Sequence, residues 1–416
     1  MRICLLSYRS YRYSGGQGIY LRYLSQSLRD LGHQVDVVSG PPYPELDDGI
    51  RLIKLPSLDL YSMSSVRRLF INPRKLNTYA SLVEWAGTMS GYFSEPLAFG
   101  MRAYELMRNG GNHNYDIVHD NQTMSYGVLK IQGLGLPVVE TIHHPVTIDR
   151  DLAVQSATSL KDKLGLRRWF SFINMQMKVA RRLSHIITVS QTARRHIADT
   201  FRIPQDKLRV IYNGIDTDIF SPSPKVARLD NRLLVVISRD TPVKGLRFML
   251  EALAVLRHKH DLELIVVAKG TDNRNTQRLV TTLGIRDYVK YIDEIDTTEL
   301  VNQYRLACLV VVPSVYEGFG LPAAEAMACG APTVSTTAGA LPEVVGDAGI
   351  LVPPADMKAL VDAISSLVVN QNKRKHLSQV GRRRIVQMFN WRNTAKHTVD
   401  VYAEAIEFRK YLNNNS

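Results

Sequence analysis

Two glutamates, Glu317 and Glu325, bracket the run Gly318-Phe319-Gly320-Leu321-Pro322, and two cations, Arg239 and Lys244, flank Asp240-Thr241-Pro242-Val243. Carboxylates grip sugar hydroxyls, whereas a guanidinium with an ammonium can clamp a diphosphate and stabilise the charge that grows on it as it departs. These residue types point to a phosphorylated, hydroxyl-rich ligand. Each has an ordinary reading as well: a strand-glycine-proline-helix turn with surface glutamates is common in α/β proteins, and a single Lys or Arg is usually a solvated charge. Both cations leaving one strand end, in a chain that also carries the glutamate loop, favour the pocket.

The elements that must position them are readable. Cys308 to Pro313 is a short apolar, β-branched run that predicts a buried parallel strand. Glycines then allow a tight turn, Pro322 suits the first turn of a helix, and Gly330 stops it. A helix N-terminus of this kind offers unpaired N–H groups and partial positive charge to a phosphate. Glu325, about one turn in, leans back toward the same end. Leu233 to Ser238 predicts a second buried strand, from whose carboxyl end Arg239 and Lys244 emerge, where open α/β sheets bind ligands.

Arg239 with Lys244, Glu317-x7-Glu325 around Gly-Phe-Gly-Leu-Pro, Tyr212-Asn213-Gly214-Ile215-Asp216 and the early Ser14-Gly15-Gly16 occur in an order that resembles family 4 of the retaining glycosyltransferases. The resemblance runs from residue 14 to 325 and implies the GT-B fold, two Rossmann-like doubly wound parallel-sheet domains facing across a cleft. It implies that Arg239 and Lys244 bind the diphosphate, Glu325 the ribose and Glu317 the donor sugar, with the backbone N–H groups of Phe319, Gly320 and Leu321 adding contacts. Gly15 and Gly16 would let backbone approach the phosphate or acceptor, and a histidine at the end of the fifth strand would lie beside the donor sugar. His143 matches that position, with His144 one residue away as the alternative. Asp120 and Asn121 are further acceptor-side candidates, and Asn213 reads as a turn former. The cation loop departs from the usual Gly-Arg-Leu, reading Ser238-Arg239-Asp240, which leaves the donor open.

The expected activity is retaining, metal-independent transfer of a hexosyl group from a nucleotide-diphosphate-sugar to a hydroxyl, in cell-envelope glycolipid or polysaccharide synthesis. A uridine-linked donor is favoured over a guanosine-linked one, and no other cofactor is expected. Alternatives are a small soluble acceptor, or sugar-nucleotide binding without transfer.

Length and composition agree. A chain of 416 residues suggests two domains: 1–220, with helix 393–416 returning to it, and a nucleotide-sugar domain at 221–392, joined near Ser221-Pro222-Ser223-Pro224. Hydrophobic residues at 45% and charged residues at 22% are an ordinary globular balance. Cys4, Cys308 and Cys329 lack metal-ligand spacing and read as reduced thiols in a cytoplasmic protein. The formal net charge of +13 calls for an anionic partner. Nucleic acid is disfavoured because no recognisable binding motif occurs. A membrane surface is compatible with the basic segment Arg150 to Arg182, read as an amphipathic helical pattern, and with Val66-Arg67-Arg68-Leu69-Phe70. The protein would then be peripheral on the inner membrane face.

Overall fold

The computed structural model describes residues 1–10, 16–60, 63, 71–110, 114–269, 273–293 and 295–415. It divides into two compact units, Met1–Val189 with Arg194–Ile211 and Thr394–Ser416, and Ser190–Ala193 with Tyr212–Asn393. The Ser221 to Pro224 stretch thus lies inside the second unit. The basic patch at 66–70 and Gly15 fall outside the described residues.

In the first unit the strands are β1 (Arg2–Ser7), β2 (Gln34–Ser39), β3 (Arg51–Lys54), β4 (Ile117–Asn121), β5 (Val138–Ile142), β6 (Ile186–Thr188) and β7 (Leu208–Val210). They form one parallel sheet in the order β3-β2-β1-β4-β5-β6-β7. Parallel neighbours require crossovers, supplied by the helices between them. Strand order reverses between β1 and β4, the place where such sheets open for ligands.

The second unit repeats the plan with β8 (Leu229–Arg239), β9 (Glu263–Lys269), β10 (Val289–Ile292), β11 (Ala307–Val312), β12 (Thr333–Thr336) and β13 (Ile350–Val352). Its parallel order is β10-β9-β8-β11-β12-β13, with the reversal between β8 and β11. Every residue of β11 is buried, as its unbroken apolar sequence requires. On helix Leu246–Leu256, Leu246, Met249, Leu250, Leu253 and Leu256 recur at helical spacing and are buried against Leu233, Val235 and Ile237 of β8. Each such side chain contributes about 1.5–3 kcal/mol by leaving water. Both sheets are doubly wound and Rossmann-like, as the alternating pattern predicts.

The basic segment differs from its sequence reading. In place of one amphipathic helix there are three pieces, Thr147–Ser156, Leu160–Trp169 and Ile173–Ala180, with Ser159 capping the second by accepting the Asp162 N–H at 3.0 Å. Leu160 and Leu164 are exposed on the middle piece, which has no buried residue. No described helix is long and apolar enough to cross a membrane.

Helix Trp391–Asn414 closes the chain, and its residues from Thr394 count with the first unit. Tyr402 is fully buried there, its hydroxyl hydrogen-bonded to Nδ1 of His119 on β4. His119 Nε2 reaches Thr141 Oγ1 at 2.6 Å, and Thr141 reaches the Tyr20 hydroxyl at 3.2 Å. Burial pushes His119 down to about 3, so the imidazole is neutral. All three cysteines are buried free thiols, and burial pushes Cys329 up to about 12.

Candidate active site

Arg239 ends β8 and is exposed, its side chain with no hydrogen-bond or ion-pair partner among the described residues. The chain then makes the short turn Pro242–Lys244, and Gly245 follows at φ +65°. A Cβ at Gly245 would lie 2.0 Å from the carbonyl oxygen of Pro313, so only glycine lets the loop after β8 press against the loop after β11. Val315 N–H donates to Val243 O at 2.8 Å and fixes the same contact. In consequence Lys244 Nζ donates to Glu317 Oε1 at 2.7 Å, and Ser314 Oγ donates to that oxygen at 2.8 Å. Both side chains are partly shielded, at 22% and 10% exposure, so the pair is less screened than a surface salt bridge.

Gly320, at φ +102°, caps helix Leu321–Ala328, with Pro322 in its first turn and no side-chain cap. The N–H groups of Phe319, Gly320 and Leu321 have no acceptor among the described residues. Phe319 itself is buried against Phe389, ring centroids 5.6 Å apart, which leaves its backbone for a ligand. Glu325 is buried one turn in, where its Oε2 accepts from the Tyr304 hydroxyl at 2.9 Å. Burial pushes its carboxyl up to about 7, partly offset by that hydrogen bond.

In the first unit, His143 follows β5 and is buried. Its Nε2 lies 2.7 Å from Asn121 Oδ1, and its backbone N–H donates to Gln122 Oε1 at 2.7 Å. Asn121 Nδ2 donates to Gln17 O at 3.1 Å, which fixes the amide so that Oδ1 faces the imidazole. The network therefore assigns the imidazole proton to Nε2 and leaves Nδ1 as an acceptor. Burial, then the neighbouring His144 and His119, push His143 down to about 3, so it is neutral. Tyr20 packs edge-on at 4.7 Å between centroids. His144 turns instead to Asp149 Oδ2 at 2.7 Å. Gly16 opens helix Gly16–Asp30 behind β1.

Lys244 and Glu317 are thus in contact, and Phe319, Gly320 and Leu321 form the adjoining helix start. Glu325 is held by Tyr304, and among the described residues no hydrogen bond joins it to Glu317. Ser314 and Tyr304 escape sequence reasoning because each meets its partner only through the fold. The pair Asn121–His143 was legible only as two separate strand-end residues. Among the described residues no group of three or more His, Cys, Asp or Glu is placed to hold a metal.

Known proteins share this chain's family and fold. Residues 14–219 match Glycosyltransferase Family 4, and residues 220–384 match Glycosyl transferases group 1. The chain is 42% identical over 410 residues, 98% of each sequence, to the MMP alpha-(1->4)-mannosyltransferase of Mycolicibacterium hassiacum. It is 28% identical over 415 residues to the D-inositol 3-phosphate glycosyltransferase of Thermobispora bispora, covering 95% of this chain and 91% of that one. Sucrose-phosphate synthase from Thermosynechococcus elongatus shares the fold with TM-score 0.74 at 22% identity, over 97% and 98% of the chains. Fold and site define a GT-B protein. The chain belongs to the group 1, family 4 glycosyltransferases.

Proposed function

We propose that the chain transfers a mannosyl group from a nucleoside-diphosphate sugar to a hydroxyl of a glycan acceptor, with retention and without an essential metal. The observation that carries the reading is the Lys244–Glu317 pair beside an uncapped helix start, at the reversal of strand order in the second sheet. A diphosphate arriving there can take the Lys244 ammonium, the Arg239 guanidinium and the N–H groups of Phe319, Gly320 and Leu321. Glu317, released from Lys244, would accept from hydroxyls of the donor sugar, while Glu325 would accept from the ribose. Charge grows on the departing phosphate, and these donors stabilise it without a metal. In a front-side transfer that phosphate also takes the acceptor proton. His143 would offer Nδ1 to a donor-sugar hydroxyl.

The sugar is suggested by the mannosyltransferase of M. hassiacum, at 42% identity over nearly the whole length. Several relatives are D-inositol 3-phosphate glycosyltransferases at 25–29% identity, which favours a small phosphorylated acceptor as a second reading. A cytoplasmic enzyme serving polysaccharide or envelope-glycolipid synthesis, bound to anionic lipid through the exposed leucines and cations of Leu160–Trp169, is part of the same proposal.

Purified protein should be given mannose and glucose on uridine and guanosine diphosphates, with oligomannoside and inositol phosphate acceptors, and the products resolved by NMR. Transfer of mannose with an α linkage, undiminished by EDTA, supports the reading; transfer of another sugar, inversion, or loss on chelation restored by magnesium defeats it. Flotation with anionic vesicles at low salt tests the lipid contact.

A further inference from the structure

Two acidic side chains lie side by side on the neighbouring strands that lead to Asn121 and His143. Asp120 on β4 and Glu140 on β5 are register partners, and both are completely buried. Neither has a cation against it among the described residues. Each uses one oxygen on the same loop: Glu140 Oε1 accepts from Gln122 N–H at 3.0 Å, and Asp120 Oδ2 accepts from Met124 N–H at 2.8 Å. Their other oxygens, Asp120 Oδ1 and Glu140 Oε2, are buried with no hydrogen-bond donor against either, and the Thr123 hydroxyl on the same loop is buried without a partner as well.

Neighbouring carboxyl oxygens buried with no other donor call for a hydrogen between them, because two ionised carboxylates in a dry interior repel and one neutral acid donates to the other. We propose that Asp120 and Glu140 share one proton and act as a positioning pair, fixing the loop Asn121–Met124 so that Asn121 and Gln122 hold His143 with Nδ1 toward the donor sugar. The role toward the sugar rests on the function proposed above; the sharing of the proton does not.

The loop needs such an anchor. Gln122 and Met124 sit at φ +60° and +46°, a region that side-chain-bearing residues avoid unless their surroundings hold them there. Both strained residues donate their N–H to this pair, and the same loop supplies the two contacts that orient His143. Burial, followed by the charge of Asp120, pushes Glu140 well above the usual carboxylate range, and burial pushes Asp120 up too. This is the direction expected of a pair that keeps its proton.

Amide substitutions separate the alternatives. In Glu140→Gln or Asp120→Asn, one NH2 replaces the shared proton and donates to the remaining carboxylate, so each single variant should melt near wild type, and Glu140→Gln should keep kcat within about threefold. In the double variant each amide oxygen must face its loop N–H, which turns the two NH2 groups against each other. Its melting temperature should fall by more than the two single changes together. Glu140→Ala, assayed where it is folded by circular dichroism, should lose kcat by about tenfold or more with KM for the donor little changed. Infrared difference spectra of wild type minus Glu140→Gln, taken above about pH 8 where Glu325 is ionised, should show a protonated-carboxyl band. An additive double variant, or a difference spectrum without that band, overturns the shared proton; a folded Glu140→Ala with wild-type kcat overturns the positioning role. If wild-type protein transfers none of the sugars, the functional reading fails while the infrared and melting results still decide the shared proton.

Discussion

Lys244 Nζ lies 2.7 Å from Glu317 Oε1 although the two residues are separated by 73 positions in the chain. The ammonium that would neutralise a leaving diphosphate is therefore engaged by the carboxylate that would hold the sugar. Substrate must exchange these partners. Lys244→Ala and Glu317→Ala should each lower kcat by about 10²–10³-fold, the range seen when one preorganised charge-stabilising group is removed. Melting temperatures should move little by comparison, because a partly exposed pair contributes modestly to folding. Steady-state kinetics with calorimetry checks both; near-normal kcat in either variant would remove the residue from the chemistry.

Gly245 joins the two loops of the site. Gly245→Ala puts a Cβ 2.0 Å from Pro313 O at φ +65°, so something in the backbone must shift. A cost of about 1–3 kcal/mol is expected for forcing an ordinary residue into that conformation, read as a lower denaturant midpoint. Donor affinity should fall with it, because Lys244 is the preceding residue.

Glu325 gives a pH signature. Its carboxyl is raised to about 7, so the native chain holds a proton that the unfolded chain releases above the ordinary carboxylate range. The resulting stability is complete below that range and is lost as pH rises through about 7. Glu325→Gln should remove this slope: wild-type melting should drop relative to the variant between about pH 5 and about pH 8. Parallel curves would show that Glu325 is ionised throughout.

The imidazoles act with the opposite sign. His119 and His143 are both pushed down to about 3, so the unfolded chain takes up protons that the folded chain refuses. Stability should decline as pH falls from the ordinary histidine value, about 6.5, toward about 3. Replacing His143 by Gln should flatten part of that decline, measurable by urea titration at several pH values. Transfer rates should show no inflection from His143 near neutrality.

Tyr402→Phe removes the hydroxyl that meets His119 Nδ1 in a dry core. Leaving that nitrogen unsatisfied should cost about 1–3 kcal/mol, seen as a lowered unfolding free energy. The nucleotide site in the second unit should bind as before, which a nucleotide titration would check.

The sheets were legible because their strands are short β-branched runs with helical patterns between them, as in Cys308 to Pro313 and Leu233 to Ser238. The cation and glutamate loops were legible because strand ends are where ligands bind in such sheets. What escaped depends on distant partners. Nothing around Tyr304 marks it as the holder of Glu325, and His143 and His144 are neighbours whose difference appears only when Asn121 and Asp149 arrive. The segment from Arg150 failed for another reason: apolar residues continue at helical spacing across a break that Ser159 and Asp162 announce by their capping contact.

Because Tyr402 supplies the partner of a histidine in β4, the interior of the first sheet is finished by residues translated after the second unit. During synthesis the leading half must leave the ribosome with that polar interior still incomplete while the whole second unit is made. Its consolidation waits until Tyr402 has been made, which ties the maturation of one lobe to completion of the other.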